Sequence, residues 1–263
     1  MNRQGVIVNG KVCGGIDWLK SVQPNGTETP GFSCNILAGC KHGCQWRMAD
    51  GKIVDCYAKT IAEGLAKKAY PYGFEHLYWH PERLDEPFSV KVPSKIFLDS
   101  QSDFAAAGVE RWQQNTILDV VRFANWHTFI SLTKNPKGYL GLDFPENMWV
   151  GFSTPADFMF GHELTVRQKT RKLQVDLETM QQIKASVVWG SFEPLSWDVA
   201  PYMENCQLDW AVIGAASDGP NKHQPNHEHL ENLLKVLGDQ AIPIFLKDNL
   251  HYEPRREEFP IIK

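Results

Sequence analysis

Cysteines are concentrated in one short part of this chain. Four of the six lie between positions 34 and 56, and three of these have a spacing that suits shared chemistry: Cys40, Cys44 and Cys56. Gly39 and Gly43 precede the first two, and a glycine lets the backbone wrap closely around a bulky ligand. Thiolates are soft ligands that bind zinc, copper(I) and iron–sulfur clusters. The three cysteines therefore predict a metal centre.

Two kinds of metal centre fit this pattern. Structural zinc sites usually take four ligands, typically as two close cysteine pairs. This chain has one close pair, so zinc would need Cys34 or His42 as a further ligand. A [4Fe–4S] cluster on three cysteines keeps one iron open, which suits chemistry better than electron storage. Cys34 lies within an apolar run and is predicted to be a core residue, and the spacing alone leaves both metals open.

The composition favours reduced thiols. The chain is 43% hydrophobic and 22% charged, as in ordinary soluble globular proteins, and its net charge of −4 gives no global basic field for nucleic acid. Residues 1–10 lack the basic start and apolar run of a signal peptide. No stretch approaches the roughly 20 apolar residues that span a bilayer. We therefore expect a cytoplasmic protein with no membrane partner, in which disulfides are rare.

Short apolar runs recur along the chain and predict the strands that must position these residues. They are apolar at consecutive positions, which is typical of strands buried on both faces of a parallel sheet. The predicted strands are Phe32–Leu37, Lys95–Asp99, Thr128–Leu132, Met148–Phe152, Ser186–Trp189, Trp210–Gly214 and Pro243–Leu246.

Helix-compatible stretches separate several of these runs. They are Tyr57–Lys68, Val109–Asn125, Thr165–Met180 and His227–Leu237. Strand–helix alternation predicts an α/β fold with a parallel sheet, either open or closed into a barrel. We expect an N-terminal extension over residues 1–30, the main domain over 31–250 and a C-terminal tail over 251–263.

Most predicted strands are followed by polar or small residues. In parallel α/β folds the loops at the carboxyl ends of the strands converge, and the site lies there. The alternative is that these residues only cap helices. Glu193 is the acidic residue that most strongly indicates a site. An ionisable group at a buried strand end costs free energy unless a polar group contacts it. Lys134 and Lys247 end other strands, and each could pair with Glu193 or bind a carboxylate or phosphate.

The cysteine motif resembles that of radical-SAM enzymes, which carry three cysteines after the first strand of a partial β/α barrel. In the commonest form the last two cysteines are two residues apart, whereas here Gln45–Asp55 separates them. The chain is more closely similar to a phage- and bacteria-associated radical-SAM-like family of unknown function. The matching blocks run in family order and are Gly39-Cys40, Gly43-Cys44, Cys56-Tyr57-Ala58, residues 96–103, residues 132–136, residues 147–153, residues 191–195, residues 209–214 and residues 243–247.

This resemblance implies a partial (β/α) barrel of about six to seven parallel strands, a [4Fe–4S] cluster and S-adenosylmethionine. It implies reductive cleavage of the cofactor by an electron from a flavodoxin- or ferredoxin-type donor. A 5′-deoxyadenosyl radical then acts on a substrate, for which a nucleic-acid base or nucleotide is one candidate. The implied metal ligands are Cys40, Cys44 and Cys56, and the implied catalytic residues are Glu193 and Lys134.

Polar and small strand-end residues are then expected to bind S-adenosylmethionine. Those expected to do so are Tyr57, Asp99, Ser100, Asp103, Ser153, Glu193, Gly214 and Lys247. For Asp103 the alternative is a helix cap, and for Ser153 a turn hydroxyl. Two other classes of protein stay open: a zinc-stabilised binding module on the same cysteines, and a metal-free hydrolase or lyase that uses Glu193 and Lys134.

Overall fold

The apolar runs form the strands of an eight-stranded sheet in the computed structural model, which describes residues 1–262. Strands β2 to β8 are parallel and lie in chain order, and β1 pairs with β2 in the antiparallel sense at one edge. The strands are β1 Asn2–Arg3, β2 Phe32–Cys34, β3 Lys95–Leu98, β4 Thr128–Thr133, β5 Met148–Ser153, β6 Val187–Phe192, β7 Trp210–Ile213 and β8 Ile244–Leu246.

The prediction of an α/β fold with a mostly parallel sheet is confirmed. Two predicted strands have wrong bounds by three residues at one end: the first ends at Cys34 rather than at Leu37, and β6 ends at Phe192 rather than at Trp189. The Asn35 side chain accepts hydrogen bonds from Ser100 Oγ and the Gln101 N–H, both at 3.0 Å. The backbone then leaves the main sheet, and Leu37–Ala38 pairs with a different strand.

The described residues contain five α-helices: α1 Tyr57–Glu63, α2 Glu86–Ser89, α3 Arg111–Phe123, α4 Val166–Met180 and α5 His227–Asp239. Single turns of 3₁₀-helix occupy Asp17–Leu19, Lys67–Ala69, Pro81–Arg83, Pro136–Tyr139 and Ala200–Tyr202. Thr165 and Gln168 form a reciprocal capping box at the start of α4. The α1 helix stops at Glu63, before Gly64, so the predicted extension to Lys68 is wrong.

The two faces of the sheet pack against different parts of the chain. One face, with Phe129 and Val150 among its side chains, contacts the apolar sides of the longer helices, including Leu173 and Leu233. The other face carries aromatic side chains that pack around Trp18. Residues alternate between the two faces along a strand. Counting by twos from a residue of known orientation therefore tells whether a strand-end residue faces the helices or faces Trp18.

The sheet curves around Trp18. Its ring centroid lies 5.0 Å from that of Phe97 on β3 and 6.0 Å from that of Trp210 on β7. These strands are four positions apart, which corresponds to about 19 Å in a flat sheet. One indole can contact both only because the sheet bends towards it. The Trp18 face is therefore concave.

Short antiparallel strands form several smaller sheets outside the main sheet. A second sheet of four strands contains His162–Glu163, Phe158–Met159, Gln45–Arg47 and Ile53–Asp55 in that order. The remaining pairs are Val6–Val8 with Lys11–Cys13, Ser21–Val22 with Glu28–Thr29, Leu37–Ala38 with Tyr78–Trp79, and Ala216–Asp218 with Asn221–His223.

Both ends of the chain contribute to the main fold. Residues 1–30 supply β1 and Trp18, and residues near the C-terminus pair with β8 through a bridge between Glu257 and Phe245. Among residues 1–262, every helix falls short of the length and hydrophobicity that a bilayer crossing requires.

Candidate functional site

A layer of polar side chains lies on the concave face at the carboxyl ends of the strands. Ile130 and Leu132 of β4 pack with the aromatic cluster on that face, so Lys134 has the same parity. Residues of the same parity at the ends of the neighbouring strands are Ser153, the last residue of β5, and Glu193, Gly214 and Lys247, which directly follow β6, β7 and β8. The structure thus brings these five predicted residues to one end of the concave face.

Lys134 is held by the neighbouring strand. Its ammonium donates to Ser153 Oγ at 2.7 Å and to the Thr154 carbonyl oxygen at 2.8 Å. Burial lowers the pKa of Lys134, although the charges of nearby Cys44 and Cys56 act in the opposite direction. Lys134 therefore binds the end of β5 and is close enough to Cys44 and Cys56 for their charges to affect its pKa.

Glu193 and Lys247 form an ion pair across Gly214. A Cβ on Gly214 would lie 2.9 Å from Lys247 Cδ and 3.1 Å from Glu193 Cγ, so this position must be small. Burial lowers the pKa of Lys247, but the charges of Glu193 and Asp17 outweigh it, and the net pKa is raised. The expected pairing between a strand-end lysine and Glu193 is thus present in the structure.

The cysteine loop is fixed by backbone hydrogen bonds. The Cys40 N–H donates to the Phe74 carbonyl at 2.8 Å, and the Cys56 N–H donates to the Cys44 carbonyl at 3.1 Å. Gly39 has φ of +83°, and a Cβ there would lie 1.8 Å from the His76 carbonyl oxygen. Only glycine fits this close approach, so its position before Cys40 has a structural reason.

Burial and the neighbouring thiols raise the pKa of two of the site cysteines. The pKa of Cys44 is raised to about 12, mainly by burial; Lys134 lowers it and Cys56 raises it. Burial also raises the pKa of Cys40, with added effects from Cys44 and Cys56. His42 lies beside them, with Nδ1 3.3 Å from Cys40 Sγ. No three His, Cys, Asp or Glu side chains in the described part of the chain are arranged to hold a single metal ion.

Asp99 is buried directly after β3, and only one of its two carboxyl oxygens has a hydrogen-bond partner among the described residues. Its Oδ1 accepts the Leu37 N–H at 2.7 Å, whereas no hydrogen-bond partner for Oδ2 lies among residues 1–262. Burial raises the pKa of Asp99 to about 8. Ser100, the next residue, is engaged through its side chain with Asn35. Asp99 Oδ2 is therefore a buried acidic atom with free hydrogen-bonding capacity.

Asp103 joins two loops. It accepts hydrogen bonds from Thr133 Oγ1 at 2.6 Å, the Lys134 N–H at 2.8 Å and the Ala105 N–H at 2.9 Å. It does not cap the following helix, because Glu110 occupies the N-cap position of α3. Its carboxylate is thus already occupied by donors from the protein.

Tyr57 links the cysteine loop to the strand-end layer. Its hydroxyl donates to the Ser100 carbonyl at 2.5 Å. Surrounding protein raises the pKa of Tyr57, and the charges of Cys56 and Glu193 raise it further. Yet 48% of the residue surface is exposed to solvent. Tyr57 therefore lies within electrostatic reach of both Cys56 and Glu193.

Sequence reasoning missed several residues of this region. Asp17 is buried and accepts the Asp248 N–H at 2.6 Å, although 231 positions separate them. Asn249 exchanges two hydrogen bonds with the backbone of Ala215. The polar residues after the last strand could have indicated a site role for Asn249. The sequence around Asp17 gives no such indication, because Asp17 comes close to Lys247 only through the curvature of the sheet.

Two shallow grooves lie outside this region. One, of about 320 Å³, is lined by residues that include Ile242, Pro243 and Phe259. The other, of about 270 Å³, is lined by residues that include Ala105, Arg111 and Gly138. Neither groove contains the cysteines or the Glu193–Lys247 pair.

The fold and site define an α/β protein with a curved, mostly parallel sheet and a cysteine-rich loop at its carboxyl edge. A family model described as "Protein of unknown function (DUF5131)" matches residues 33–258. The chain belongs to that family. No curated protein matches the chain.

Solved structures of spore photoproduct lyase are similar to this chain at a distance. One is the lyase complexed with dinucleoside spore photoproduct, with 9% identity and a TM-score of 0.43. Another is a double mutant with bound AdoMet and the same dinucleoside, with 11% identity and a TM-score of 0.43. A third, a single mutant, has 9% identity and a TM-score of 0.44. Each similarity covers 83% of this chain and 63% of the other, so the chain spans less than two thirds of that protein.

Proposed function

We propose that this chain is a radical-SAM enzyme. In this proposal Cys40, Cys44 and Cys56 hold a [4Fe–4S] cluster, and the carboxyl edge of a partial (β/α) barrel binds S-adenosylmethionine. The observation that carries the proposal is the position of the thiols beside the concave polar layer. Lys134 lies directly after β4, and Tyr57 follows Cys56 and donates to the Ser100 carbonyl after β3. The charge of Cys56 affects the pKa of both side chains.

The donor set suits such a cluster. Burial raises the pKa of Cys40 and Cys44, and neighbouring site cysteines raise it further: Cys44 and Cys56 act on Cys40, and Cys56 acts on Cys44. Thiolates in that environment need a compensating positive centre, and metal binding removes the proton from a thiol. Apolar side chains that include Trp46, Met48 and Met159 pack around Cys44 and limit access of water.

When bound, the cluster and S-adenosylmethionine supply an electron-driven cleavage of the sulfonium bond and a 5′-deoxyadenosyl radical. The protein supplies binding and orientation. Lys134, fixed by Ser153 and Thr154, offers an ammonium to a carboxylate. Asp99 Oδ2 is a buried acceptor suited to an ammonium or hydroxyl. The Glu193–Lys247 pair presents both signs of charge beside the small Gly214.

Anaerobic reconstitution tests the proposal directly. We expect about four irons per chain and a broad absorption band of the cluster at about 400 nm, and both should be lost in Cys44→Ala. Cys13→Ala is the matched control, because Cys13 is exposed and outside the loop. With dithionite and S-adenosylmethionine, the loaded protein should form 5′-deoxyadenosine. A fully loaded cluster that leaves the cofactor intact would overturn the proposal.

Zinc is the second candidate, and the contact between His42 and Cys40 favours it. His42 would act as the fourth ligand beside the three cysteines, in a stabilised binding protein without radical chemistry. That case predicts a colourless protein with one zinc per chain. His42→Ala would then lower the zinc content, whereas the iron content of a three-cysteine cluster would survive this substitution.

The substrate is the second part of the proposal. The family resemblance suggests a nucleic-acid base or nucleotide, and a flavodoxin- or ferredoxin-type protein as electron donor. Incubation of the loaded protein with S-adenosylmethionine, dithionite and an oligonucleotide deuterated at its carbon-bound positions tests this class. Deuterium transferred from the oligonucleotide to 5′-deoxyadenosine or S-adenosylmethionine would support it. Absence of deuterium from both would exclude that oligonucleotide as a substrate.

A further inference from the structure

The segment between the second and third site cysteines forms a hairpin that crosses the candidate site. We call Gln45–Asp55 the roof hairpin; its strands are Gln45–Arg47 and Ile53–Asp55. Cys44 precedes it and Cys56 follows it directly. Any movement of the hairpin therefore acts on the backbone of both cysteines.

The roof hairpin reaches the far side of the sheet. It starts after β2, yet Trp46, Met48 and Val54 pack with Ala156 after β5 and with Ala216 after β7. In the order of the sheet β7 is five positions from β2. The hairpin therefore spans the end of the concave face instead of extending away from it.

Trp46 is the inward contact of this hairpin. Lys134 Nζ lies 5.3 Å from the centroid of its ring, within the range of a cation–π interaction. Trp46 is buried, and it covers the end of the site formed by Lys134 and Cys44. The part near Tyr57, Glu193 and Lys247 keeps partial solvent exposure. The roof hairpin thus covers one half of the strand-end layer and leaves the other half accessible.

Two polar side-chain contacts hold the tip of the roof hairpin. Asp50 Oδ2 lies 2.6 Å from His223 Nδ1, and Lys52 Nζ lies 3.8 Å from Asp218 Oδ2. His223 and Asp218 belong to the hairpin that follows β7, with strands Ala216–Asp218 and Asn221–His223. The His223 contact is the shorter one, and the side chain of His223 is only 13% exposed. This contact joins two segments 173 positions apart.

We infer that Trp46 is a positioning residue for Lys134 and Cys44, and that the Asp50–His223 contact is the latch that keeps it in place. With the latch closed, the indole shields Cys44 and fixes Lys134. With the latch open, the hairpin moves away and Cys44 becomes accessible. The inference concerns the protein without its metal, so it is independent of whether the thiols bind iron or zinc.

Alkylation of the metal-free chain by iodoacetamide, followed residue by residue with mass spectrometry, tests the latch. We expect Asp50→Ala and His223→Ala each to increase the alkylation rate of Cys44 about tenfold, since local opening exposes it. The double variant should be no faster than either single variant, because both remove one contact. The charges that shift the pKa of Cys44 come from other residues, so these substitutions act on its access.

Two other cysteines serve as internal controls. Buried Cys206 should stay slow, and exposed Cys13 should stay fast in every variant. Trp46→Ala should also expose Cys44 while the latch residues are intact, and Trp46→Phe should restore most of the protection. Unchanged rates at Cys44, additive single effects, or an equal increase at Cys206 would overturn the inference. Failure of the unsubstituted chain to bind iron, with the alkylation rates of the variants as expected, would count against the proposed function alone.

Discussion

At the scale of single residues, the strand-end layer combines charges that the protein pairs with atoms that it leaves unpaired. Glu193 and Lys247 neutralise each other beside Gly214, and Asp103 is occupied by three donors. Asp99 differs, because one oxygen has no partner among residues 1–262. A buried acid of this kind is costly as an anion, so its protonation state depends on pH across an accessible range.

Asp99 is therefore expected to make stability fall as pH rises. Burial raises its pKa from 3.8 to about 8, so between these values the folded chain keeps a proton that the unfolded chain releases. This contribution to the free energy of unfolding decreases as pH increases through that window and is constant above it. Asp99→Asn cannot ionise, and its stability should depend less steeply on pH.

Urea denaturation at a series of pH values measures this difference. Exposed Asp143→Asn is the control, and it should reproduce the slope of the parent chain. Equal slopes for Asp99→Asn and the parent would show that Asp99 is not a buried, proton-retaining acid in the folded state.

At the scale of elements, the site depends on loops that are attached to one another. The loop after β3 is connected to the end of β4 through Asp103, and the loop after β2 is connected to β3 through Asn35 and Asp99. The roof hairpin adds a connection from β2 to the segment after β7. These side-chain hydrogen bonds, rather than helix caps, set the positions of the strand-end residues.

Asp103→Asn should weaken the connection between β3 and β4. The amide replaces one accepting oxygen by an NH₂ group, a donor that faces Thr133 Oγ1 or the Lys134 N–H. The remaining hydrogen bonds are then made to a neutral acceptor instead of a carboxylate. We expect the free energy of unfolding to drop by about 2 kcal/mol, in the range of charge-assisted hydrogen bonds. Chemical denaturation gives this value. Exposed Asp119→Asn on α3 should change it by less than about 0.5 kcal/mol, and an equally small effect at Asp103 would contradict the expectation.

At the scale of the whole molecule, residues from both ends of the chain pack on the concave face. Trp18 fills it from the N-terminal side. Phe259 packs against Trp210 and Phe245 with centroid distances of 5.9 and 5.5 Å, and Lys95 Nζ lies 3.3 Å from its ring centroid. Phe259 thus covers the concave face near the amino ends of β3 and β7.

Phe259→Ala should destabilise the whole fold. The substitution removes a ring that covers Trp210 and Phe245, and we expect a loss of about 2 kcal/mol in the free energy of unfolding. Ile261→Ala is the matched control, since Ile261 is 85% exposed and should contribute less than about 0.5 kcal/mol. If both variants unfold at the same denaturant concentration as the parent, the C-terminal segment does not contribute to the core.

Sequence by itself determined the parallel α/β class, because strands buried on two faces must be apolar at consecutive positions. It also determined that Lys134, Ser153, Glu193 and Lys247 end strands, since strand and loop are local properties. The metal chemistry of Cys40, Cys44 and Cys56 stays a prediction that followed from residue type and spacing.

Tertiary structure decided which of these residues meet. The pairing of Lys247 with Glu193, the contact of Asp17 with Asp248 and the latch from Asp50 to His223 join distant segments. Each depends on the curvature of the sheet, which arises from the packing of six strands around Trp18. Local patterns of hydrophobicity cannot encode that curvature, because it results from the summed fit of side chains supplied by the whole chain.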